Sequence, residues 1–428
     1  MNNFNRRDFI KLMGISTAAV ATPSLIKTAS ANGGLSARVV VVGSGFAGST
    51  VAKHLRLWSN NLIDVTVVDP HLAHVSCVMS NLVVNEQLTM PDITFQHAVL
   101  NEKYGVNFIK SSVSSINHEV AEKQVFLENG QTLLCDYIVL APGISFDDIP
   151  GLDHKKVPHA WVAGPQTKLL REKMKAISGG DTFVMTIPKA PYRCPPGPYE
   201  RACVIADMMK KKGGGKVIVL DLNPKIIVEE HMFSTAFSEI YGGIVEYIPN
   251  IEIKAVDSDE LIVYTKNHGE FKADVLNVIP THRAGQIITD LGFNTVADRW
   301  ADINPISYEL NNTADVFVIG DSSGTSQPKS GHMANSQAKI CADAIIRKIA
   351  NRPLDSQERL ANLTTNSACY SPITSTTATW LTAGFIYNQD EQRMKAIPAS
   401  LGEAELHHVD HYKDMFSWSK NLFENTFM

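Results

Sequence analysis

Short, mainly apolar runs of residues recur along the chain, and stretches with helical spacing separate them. The first run covers residues 39–42 and the second covers residues 65–68, with a helical stretch at 49–55 between them. Runs without alternation are typical of parallel strands that are buried on both faces of a sheet. The order strand, helix, strand predicts an α/β unit of the Rossmann type.

The same order recurs in the middle of the chain. Strands are predicted at residues 182–187 and 216–221, and helices at 161–177 and 200–212. The sequence therefore predicts an α/β fold with two Rossmann-like three-layer nucleotide-binding domains, followed by a C-terminal interface domain.

A glycine-rich loop follows the first strand. Gly43, Gly45 and Gly48 form the pattern Gly-x-Gly-x-x-Gly before the helical stretch, and Asp69 ends the second strand 21 residues after Gly48. Such glycines let backbone N–H groups approach a pyrophosphate, and an acid at this distance binds a ribose hydroxyl. A glycine turn that only packs on the sheet is the alternative, but the strand, the helix and the acid together favour dinucleotide binding.

Two later strands indicate which dinucleotide is bound. The first ends in Ala141-Pro142-Gly143 and the second ends in Gly320-Asp321. With the N-terminal loop, this ordered set resembles the FAD-binding segments of glutathione-reductase-like flavoproteins. The resemblance implies that Asp321 binds near the ribityl and phosphate portion of FAD.

A further helix is predicted shortly after this strand, and Lys329, Ser330 and Gly331 stand at its start. The positive end of a helix dipole stabilises negative charge. We expect this end to lie near the flavin, where it would favour the anionic reduced form. An ordinary packed helix is compatible with the same sequence.

The second α/β unit lacks a glycine loop in the corresponding place. Four prolines, Pro191, Pro195, Pro196 and Pro198, surround Cys194 instead. Proline has no backbone N–H to donate to a phosphate, so a nicotinamide dinucleotide is not expected to bind in the usual mode. We expect a small electron donor that reaches the flavin directly, with sulfur chemistry at Cys194.

The first 31 residues have the pattern of a twin-arginine signal peptide. Arg6 and Arg7 precede a broken apolar run at 12–26 and a small-residue cleavage site at 29–31. This order predicts export of the folded protein to the periplasm, the alternative being a chance Arg-Arg before a helix. Removing these residues takes away four basic side chains and one acidic side chain, which moves the formal net charge from −5 to −8.

Charge and hydropathy exclude some other functions. An acidic chain is not expected to bind nucleic acid, and no later segment is apolar enough to span a bilayer. The spacings of the cysteines do not resemble a zinc site, so no metal is predicted. Because the chain has no Cys-x-x-Cys-His motif, any c-type haem must lie on another subunit.

The chain resembles the flavoprotein subunit of flavocytochrome c sulfide dehydrogenase, a periplasmic FAD enzyme that is paired with a c-type cytochrome. The resemblance covers nearly all of the chain after the signal peptide. It is carried by segments 39–48, 76–81, 158–164, 193–202, 328–331, 334–337, 368–371 and 416–418. The most specific of these is the run Cys194-Pro-Pro-Gly-Pro-Tyr-Glu200.

The resemblance implies roles for five residues. Cys77 matches the cysteine that is joined covalently to the flavin 8α-methyl carbon, although a buried free cysteine is the commoner fate of this residue type. Cys194 and Cys369 match a redox-active disulfide over the flavin, which hydrosulfide would attack. Glu200 is a candidate acid/base beside that disulfide, or only an acid in the first turn of a helix. Trp418 is placed near the flavin, in a tail that either lines the site or packs on its own domain.

The remaining cysteines, Cys135, Cys203 and Cys341, are interpreted as core residues. The predicted domains are the signal peptide (1–31), an FAD-binding domain in two parts (36–149 and 281–355), a degenerate NAD-like domain (150–280) and the interface domain (356–428).

Three functions are compatible with these features. The favoured one is a sulfide dehydrogenase flavoprotein that oxidises hydrosulfide and passes electrons to a c-type cytochrome subunit. A sulfide:quinone oxidoreductase shares the flavin and the sulfur chemistry but reduces a membrane quinone. The third is a flavoprotein subunit that docks a cytochrome without turning over sulfide.

Overall fold

The computed structural model describes residues 35–428, so the predicted signal peptide lies outside the described residues. The α-helices in this range are α1 (Phe46–Trp58), α2 (Ser80–Val84), α3 (Ala98–Tyr104), α4 (Pro165–Ala176), α5 (Gly197–Lys211), α6 (Glu230–Thr235), α7 (Gln286–Asp290), α8 (Gly331–Ile349), α9 (Gln357–Ala361) and α10 (Val409–Phe427). Shorter 3-10 or π-helical turns cover Pro91–Ile93, Ala236–Ile240, Gly320–Ser322 and Pro398–Ser400.

The strands form several separate sheets. In chain order they are β1 (Ala37–Val42), β2 (Ile63–Asp69), β3 (Ala73–Val75), β4 (Thr94–Gln96), β5 (Asn107–Lys110), β6 (Val113–Asn117), β7 (Lys123–Leu127), β8 (Thr132–Cys135), β9 (Tyr137–Leu140), β10 (Ile144–Phe146), β11 (Thr182–Ile187), β12 (Lys216–Asp221), β13 (Val245–Ile248), β14 (Ile253–Asp257), β15 (Ile262–Thr265), β16 (Glu270–Lys272), β17 (Val275–Asn277), β18 (His282–Ala284), β19 (Thr295–Val296), β20 (Trp300–Ala301), β21 (Val316–Val318), β22 (Thr364–Pro372), β23 (Ala378–Asn388), β24 (Arg393–Ala396) and β25 (Gly402–Glu403).

The first parallel sheet has the strand order β21-β9-β1-β2-β5. Val41 of β1 lies opposite Val67 of β2 and Val139 of β9, and all three side chains are buried. Helices α1 and α8 pack against each other beside this sheet. The carboxyl ends of β1, β2, β9 and β21 therefore meet at one edge, which is where open α/β sheets bind ligands.

The second parallel sheet has the order β13-β12-β11-β17. Helix α5 packs against β12, and its buried side chains include Cys203 and Ile205. Strand β21 follows this sheet in the sequence but pairs with β9 of the first sheet, so the chain returns to the first sheet after completing the second.

The C-terminal part consists of an antiparallel sheet and the final helix. Strand β23 pairs with β22, β24 and β25. Helix α10 packs on α1 and β23. Its last turns place Phe427 against Phe46 and Phe95, with ring centroids 5.1 and 4.7 Å apart, so the end of the chain is part of the main core.

The predicted fold class is confirmed, because a parallel sheet is present in each of the two predicted Rossmann-like units. The domain boundaries stay predictions. The core assignment of Cys135, Cys203 and Cys341 is confirmed, since each is fully buried. Among residues 35–428, the structure has no helix that is both long and apolar enough for a bilayer.

Two predicted helix starts are wrong. The helix predicted from residue 161 begins at Pro165, because Gly164 takes a positive φ of 125° and Pro165 is suited to the first helical position. The helix predicted from Glu200 begins earlier, at Gly197, so that Glu200 lies in its first turn.

Candidate active site

The glycine loop lies between β1 and α1 and is shaped by close backbone contacts. Gly43 has a φ of 99°, and a Cβ there would lie 2.4 Å from the carbonyl oxygen of Ala141. A Cβ at Gly48 would lie 1.8 Å from the carbonyl oxygen of Gly43. Only glycine allows this turn, which brings the start of α1 to the edge of the sheet.

The loop leaves room for a ligand in front of α1. A Cβ at Gly45 would meet only the His74 ring, at 3.6 Å, so this glycine keeps space clear of protein. Gly45 is the N-cap of α1 and offers no capping side chain. Free N–H groups at a helix start are suited to an anionic pyrophosphate, and the loop therefore fits a dinucleotide.

Asp69 ends β2 beside the loop. Its carboxylate accepts hydrogen bonds from the Ser44 backbone N–H at 2.9 Å and from the Ser44 hydroxyl at 2.6 Å. The other oxygen accepts a bond from the backbone N–H of His71 at 2.8 Å. The acid is thus held in one orientation at the place where the sequence predicts a ribose contact.

Asp321 lies at the end of β21, next to the carboxyl end of β9. One oxygen accepts a hydrogen bond from Arg193 Nε at 2.6 Å. The other oxygen, Oδ1, is buried and has no hydrogen-bond partner among the described residues. A buried acceptor is costly unless it is paired. This unpaired oxygen fits a ligand hydroxyl, such as the ribityl hydroxyl that the sequence predicts.

Lys329 lies next to Asp321 at the same edge of the sheet. Its ammonium group donates to the carbonyl oxygens of Asp321 and Ser323, both at 2.9 Å, and lies 3.7 Å from the ring centroid of Trp300. Burial lowers the pKa of Lys329 to about 8. Ser330 caps α8 by accepting a hydrogen bond from the Met333 N–H at 3.1 Å, so the predicted helix does begin at this point.

Cys194 is held in a left-handed turn with a φ of 57°. Its backbone N–H donates to the carbonyl oxygen of Lys329 at 2.6 Å, which ties the proline-rich loop to the start of α8. A Cβ at Gly197 would lie 2.9 Å from the Cys194 sulfur. Glycine at this position therefore keeps open the space that the sulfur occupies.

Cys194 borders a cavity that contains two more thiols. We call it the thiol cavity, and its lining includes Cys77 from the segment between β3 and α2 and Cys369 from β22. Other predicted site residues also line it: Glu200, Ser330, Gly331 and Trp418. The fold thus brings together residues that are up to 341 positions apart in the sequence, from Cys77 to Trp418.

The predicted bond between Cys194 and Cys369 is not formed in this structure. All six cysteines are free thiols. Two cysteines that line one cavity fit the predicted redox-active pair, and the bond between them stays a prediction.

Burial dominates the electrostatics of the thiol cavity. It raises the pKa of Glu200 to about 7, although the Glu200 carboxylate accepts a hydrogen bond from Asn81 Nδ2 at 2.8 Å. Burial likewise raises the pKa of Cys369 to about 12 and that of Cys194 well above its usual value. A carboxyl group that titrates near neutral pH beside such thiols is suited to proton transfer.

The sequence prediction missed Arg201, which is fully buried next to Glu200. Its guanidinium donates to Asn81, to Asn277 and to the carbonyl oxygens of His159 and Ala160 at distances of 2.6 to 3.0 Å. It also lies 4.7 Å from the Trp161 ring. This group fixes the segment that forms one wall of the thiol cavity. The only signal was a charged residue directly before the apolar helix positions Ala202 and Cys203.

Gly143, Asp321 and Arg193 form the boundary between the glycine loop and the thiol cavity. A Cβ at Gly143, where φ is 76°, would lie 2.9 Å from Arg193 Nη2. The structure therefore places every predicted cofactor residue either at the carboxyl edge of the first sheet or on the thiol cavity next to it.

Two family models match the chain. The one described as pyridine nucleotide-disulphide oxidoreductase matches residues 37–181, and the one described as sulfide dehydrogenase [flavocytochrome c] flavoprotein chain, central, matches residues 167–280. A sulfide dehydrogenase [flavocytochrome c] flavoprotein chain of Chlorobaculum thiosulfatiphilum is 52% identical over 46 residues, which are 11% of this chain and 94% of that sequence.

Longer matches are more distant. The mitochondrial sulfide:quinone oxidoreductase of Dictyostelium discoideum is 23% identical over 333 residues, covering 74% of this chain and 72% of its own. The solved structure of the sulfide:quinone oxidoreductase from Aquifex aeolicus has a TM-score of 0.75 at 16% identity, covering 91% of this chain and 92% of that one. A NAD-dependent persulfide reductase from A. fulgidus has a TM-score of 0.60 at 14% identity, covering 91% of this chain and 77% of that one.

Proposed function

The chain belongs to the flavoprotein disulfide oxidoreductases, and on this premise we propose that it is the sulfide-oxidising flavoprotein subunit of a sulfide:cytochrome c oxidoreductase. The observation that carries the proposal is the thiol cavity itself. Cys194, Cys369 and Glu200 line this cavity, next to the edge of the sheet that carries the glycine loop. The pKa of the Glu200 carboxyl is about 7. Sulfide-oxidising relatives of similar length and fold support the same chemistry.

In the first chemical step, the only protein groups that react with sulfide are residues of this chain. In the oxidised protein, the sulfur of a hydrosulfide ion attacks one sulfur of the Cys194–Cys369 disulfide. A new S–S bond gives a cysteine persulfide, the bond between the two cysteines breaks, and the second cysteine leaves as a thiolate. Glu200 is the group that accepts the proton of the incoming sulfide or of the persulfide, because its pKa of about 7 allows both protonation states near neutral pH.

FAD, when bound, supplies a carrier that accepts two electrons and releases them singly. The residues that would hold it are Gly43, Gly45, Asp69, Asp321 and the start of α8. The buried, unpaired Asp321 Oδ1 and the open space at Gly45 support this assignment.

We assign Cys77 as the site of a covalent bond to the flavin. Its thiol lines the thiol cavity together with the start of α8, and burial raises its pKa. Acid-precipitated protein is expected to remain yellow, and Cys77→Ala is expected to release the colour into the supernatant. Cys203→Ala is the matched control, since Cys203 is buried in α5 away from the cavity lining. Complete release of flavin from the unmodified protein would exclude the bond.

A c-type cytochrome subunit is the proposed electron acceptor. The family model named after the flavocytochrome c flavoprotein chain and the predicted export signal support this acceptor. A membrane quinone is the second candidate, favoured by the similarity to sulfide:quinone oxidoreductases.

Anaerobic stopped-flow separates the two acceptors. Sulfide-reduced protein is mixed with either ferricytochrome c or a short-chain quinone analogue at equal concentration. Flavin reoxidation that is faster with the cytochrome supports the proposal, and reoxidation that occurs only with the quinone contradicts it.

Periplasmic location by the twin-arginine route is also proposed, on the pattern at Arg6 and Arg7. Replacing both arginines with lysine is expected to retain the folded flavoprotein in the cytoplasmic fraction. Unchanged appearance in the periplasmic fraction would contradict this part of the proposal.

A further inference from the structure

A second cavity lies on the other side of Cys369. We call it the outer cavity, and its volume is about 470 Å³. Most of its lining side chains are apolar, among them Pro195, Val228, Pro328, Leu381, Ala383 and Leu401. Cys369 is the one cysteine that lines both this cavity and the thiol cavity, among the residues that the structure describes. Cys369 therefore lies between the two cavities.

The two sides are not equivalent. Cys77, Gly331 and Trp418 line the thiol cavity and not the outer cavity, and the sequence predicts that all three contact the flavin. If the flavin ring fills that side, sulfide needs the other one. The outer cavity provides it, and its rim residues Leu401 and Glu403 are exposed to solvent.

Glu229 is the only deeply buried carboxylate among the lining residues of the outer cavity. Its relative exposure is 4%. One oxygen accepts a hydrogen bond from the Thr379 hydroxyl at 2.8 Å. The second oxygen, Oε2, is buried and has no hydrogen-bond partner in the described part of the chain. The backbone of Glu229 has a φ of 49°, an uncommon conformation for a residue of this type.

The titratable groups that face Glu229 are few. They are Glu403 across the outer cavity, Glu200 and Cys203 of α5, and Cys369 of β22. Burial, with the nearby carboxylates, raises the pKa of Glu229 to about 8. After burial, the charge on Glu229 is the largest influence that raises the pKa of Cys369. The two groups are therefore coupled directly.

We propose that sulfide reaches Cys369 through the outer cavity and that Glu229 is the base that removes its proton there. The inference rests on the proposed function and extends it. Glu229 then takes the proton of the incoming hydrogen sulfide, and Glu200 keeps the second role proposed for it above, acceptance of the proton of the persulfide.

The reaction is balanced within the oxidised protein. Hydrogen sulfide enters as the neutral molecule, which an apolar cavity accepts more readily than an anion. The Glu229 carboxylate takes one proton, and the resulting hydrosulfide attacks the Cys369 sulfur. A persulfide forms on Cys369, the Cys194–Cys369 bond breaks, and Cys194 leaves as the thiolate.

Leu381 controls the width of this route. It lies directly opposite Cys369 in the register of β22 and β23 and lines the outer cavity. Side chains in such cross-strand pairs are about 5 Å apart. A larger side chain at 381 therefore blocks approach to the sulfur without touching the predicted flavin side.

The first test measures the reactivity of the Cys369 thiol, which needs no sulfide turnover. The reduced holoprotein is treated with iodoacetamide, and alkylation of Cys369 is followed by peptide mass spectrometry. At pH 7, the ratio of the Cys369 alkylation rate in Glu229→Gln to that in the unmodified protein is expected to be near one. It is expected to rise to about threefold at pH 9, as for a half-unit fall in the thiol pKa. Glu230→Gln is the matched control, because Glu230 is exposed and pairs with Lys225.

The second test measures sulfide-driven flavin reduction by anaerobic stopped-flow. When the rate is divided by the concentration of neutral hydrogen sulfide at each pH, it is expected to rise in the unmodified protein as the pH passes about 8, because the Glu229 carboxylate forms. Glu229→Gln is expected to lose this rise and to react about 100-fold more slowly, the lower range for a positioned base. Leu381→Trp is expected to raise the sulfide concentration at which flavin reduction reaches half its maximal rate. Leu381→Ala is expected to react as fast as the unmodified protein.

These results separate the inference from the proposed function. If unmodified protein is not reduced by sulfide, the proposed function is wrong. If it is reduced, but Glu229→Gln keeps both its pH profile and its alkylation rates and Leu381→Trp reacts normally, sulfide does not use the outer cavity and only the inference is overturned.

Discussion

Replacing Glu200 with glutamine is expected to make the protein more stable at alkaline pH and less reactive toward sulfide. Glutamine keeps the acceptor oxygen for the hydrogen bond from Asn81 Nδ2 and has nearly the same shape, so the change removes mainly the ionisable proton. The perturbation therefore tests the electrostatic environment of Glu200 rather than its packing.

The size of the effect follows from the raised pKa. Burial moves the pKa of Glu200 from 4.5 to about 7. At 1.36 kcal/mol per unit, this shift corresponds to about 3 kcal/mol between the protonated and ionised forms. Because the folded protein holds this proton more tightly than the unfolded chain does, stability falls as the pH rises from about 4.5 to about 7. Above about pH 7 the unmodified protein is destabilised by the whole of this amount, whereas the glutamine variant, which has no ionisable group at position 200, is not.

Thermal unfolding at pH 5 and pH 8.5 measures this difference. An unfolding entropy of about 2.1 cal/mol/K per residue gives roughly 0.8 kcal/mol/K for a chain of about 400 residues. Glu200→Gln is then expected to gain about 3 °C more in Tm over the unmodified protein at pH 8.5 than at pH 5. Both proteins are measured under reducing conditions, so that the cysteines remain thiols.

Glu230→Gln serves as the control, since Glu230 is exposed and also lies in the first turn of a helix. Its Tm difference from the unmodified protein is expected to be the same at both pH values. If Glu200→Gln behaves like this control, its carboxyl group is not held in a burial-raised state and the proton-transfer role assigned to it loses its basis.

The elements that were predicted from the sequence are those with local signals. The glycine pattern at 43–48 and the apolar strand before it are continuous in the chain, and the close contact between Gly48 and Gly43 involves neighbouring turns. The position of Glu200 in a first helical turn was likewise visible locally, although the helix begins at Gly197. Such features depend on backbone geometry that a few adjacent residues decide.

The parts that were not predicted depend on distant contacts. Glu229 and Cys369 are 140 residues apart in the sequence, and nothing near Glu229 distinguishes it from its exposed neighbour Glu230. Arg201 has four partners in three separate segments of the chain. The association of Cys194 with Cys369 came from a family resemblance and not from spacing, because only the assembled fold brings them to one cavity.

Three further predictions concern the scaffold of the site. Arg201→Met leaves several buried carbonyl and amide acceptors unpaired, so we expect the free energy of unfolding to fall by about 3 to 5 kcal/mol, measured by thermal unfolding. Arg201→Lys is not expected to restore it, because an ammonium group cannot reproduce the planar set of donors of a guanidinium. Gly43→Ala places a Cβ 2.4 Å from the Ala141 carbonyl oxygen, so purified protein is expected to contain less flavin, measured as the ratio of absorbance at about 450 and 280 nm; normal flavin content would contradict the geometry. The pKa of Lys329 is lowered to about 8, so its positive charge is lost as the pH rises through 8, and the flavin reduction potential is expected to fall there. A plot of potential against pH from redox titrations is then expected to show an inflection near pH 8, and Lys329→Met is expected to lack it.

The most direct test of the account is anaerobic bleaching of the flavin by sulfide in four proteins. The unmodified protein and the buried-cysteine control Cys203→Ala are expected to lose their flavin absorbance within seconds of mixing. Cys194→Ser and Cys369→Ser are expected to remain oxidised with sulfide while they are still bleached by dithionite, since the disulfide route is removed and the flavin is not. Equally fast bleaching of both serine variants by sulfide would contradict the central claim that sulfide is oxidised at this pair of cysteines.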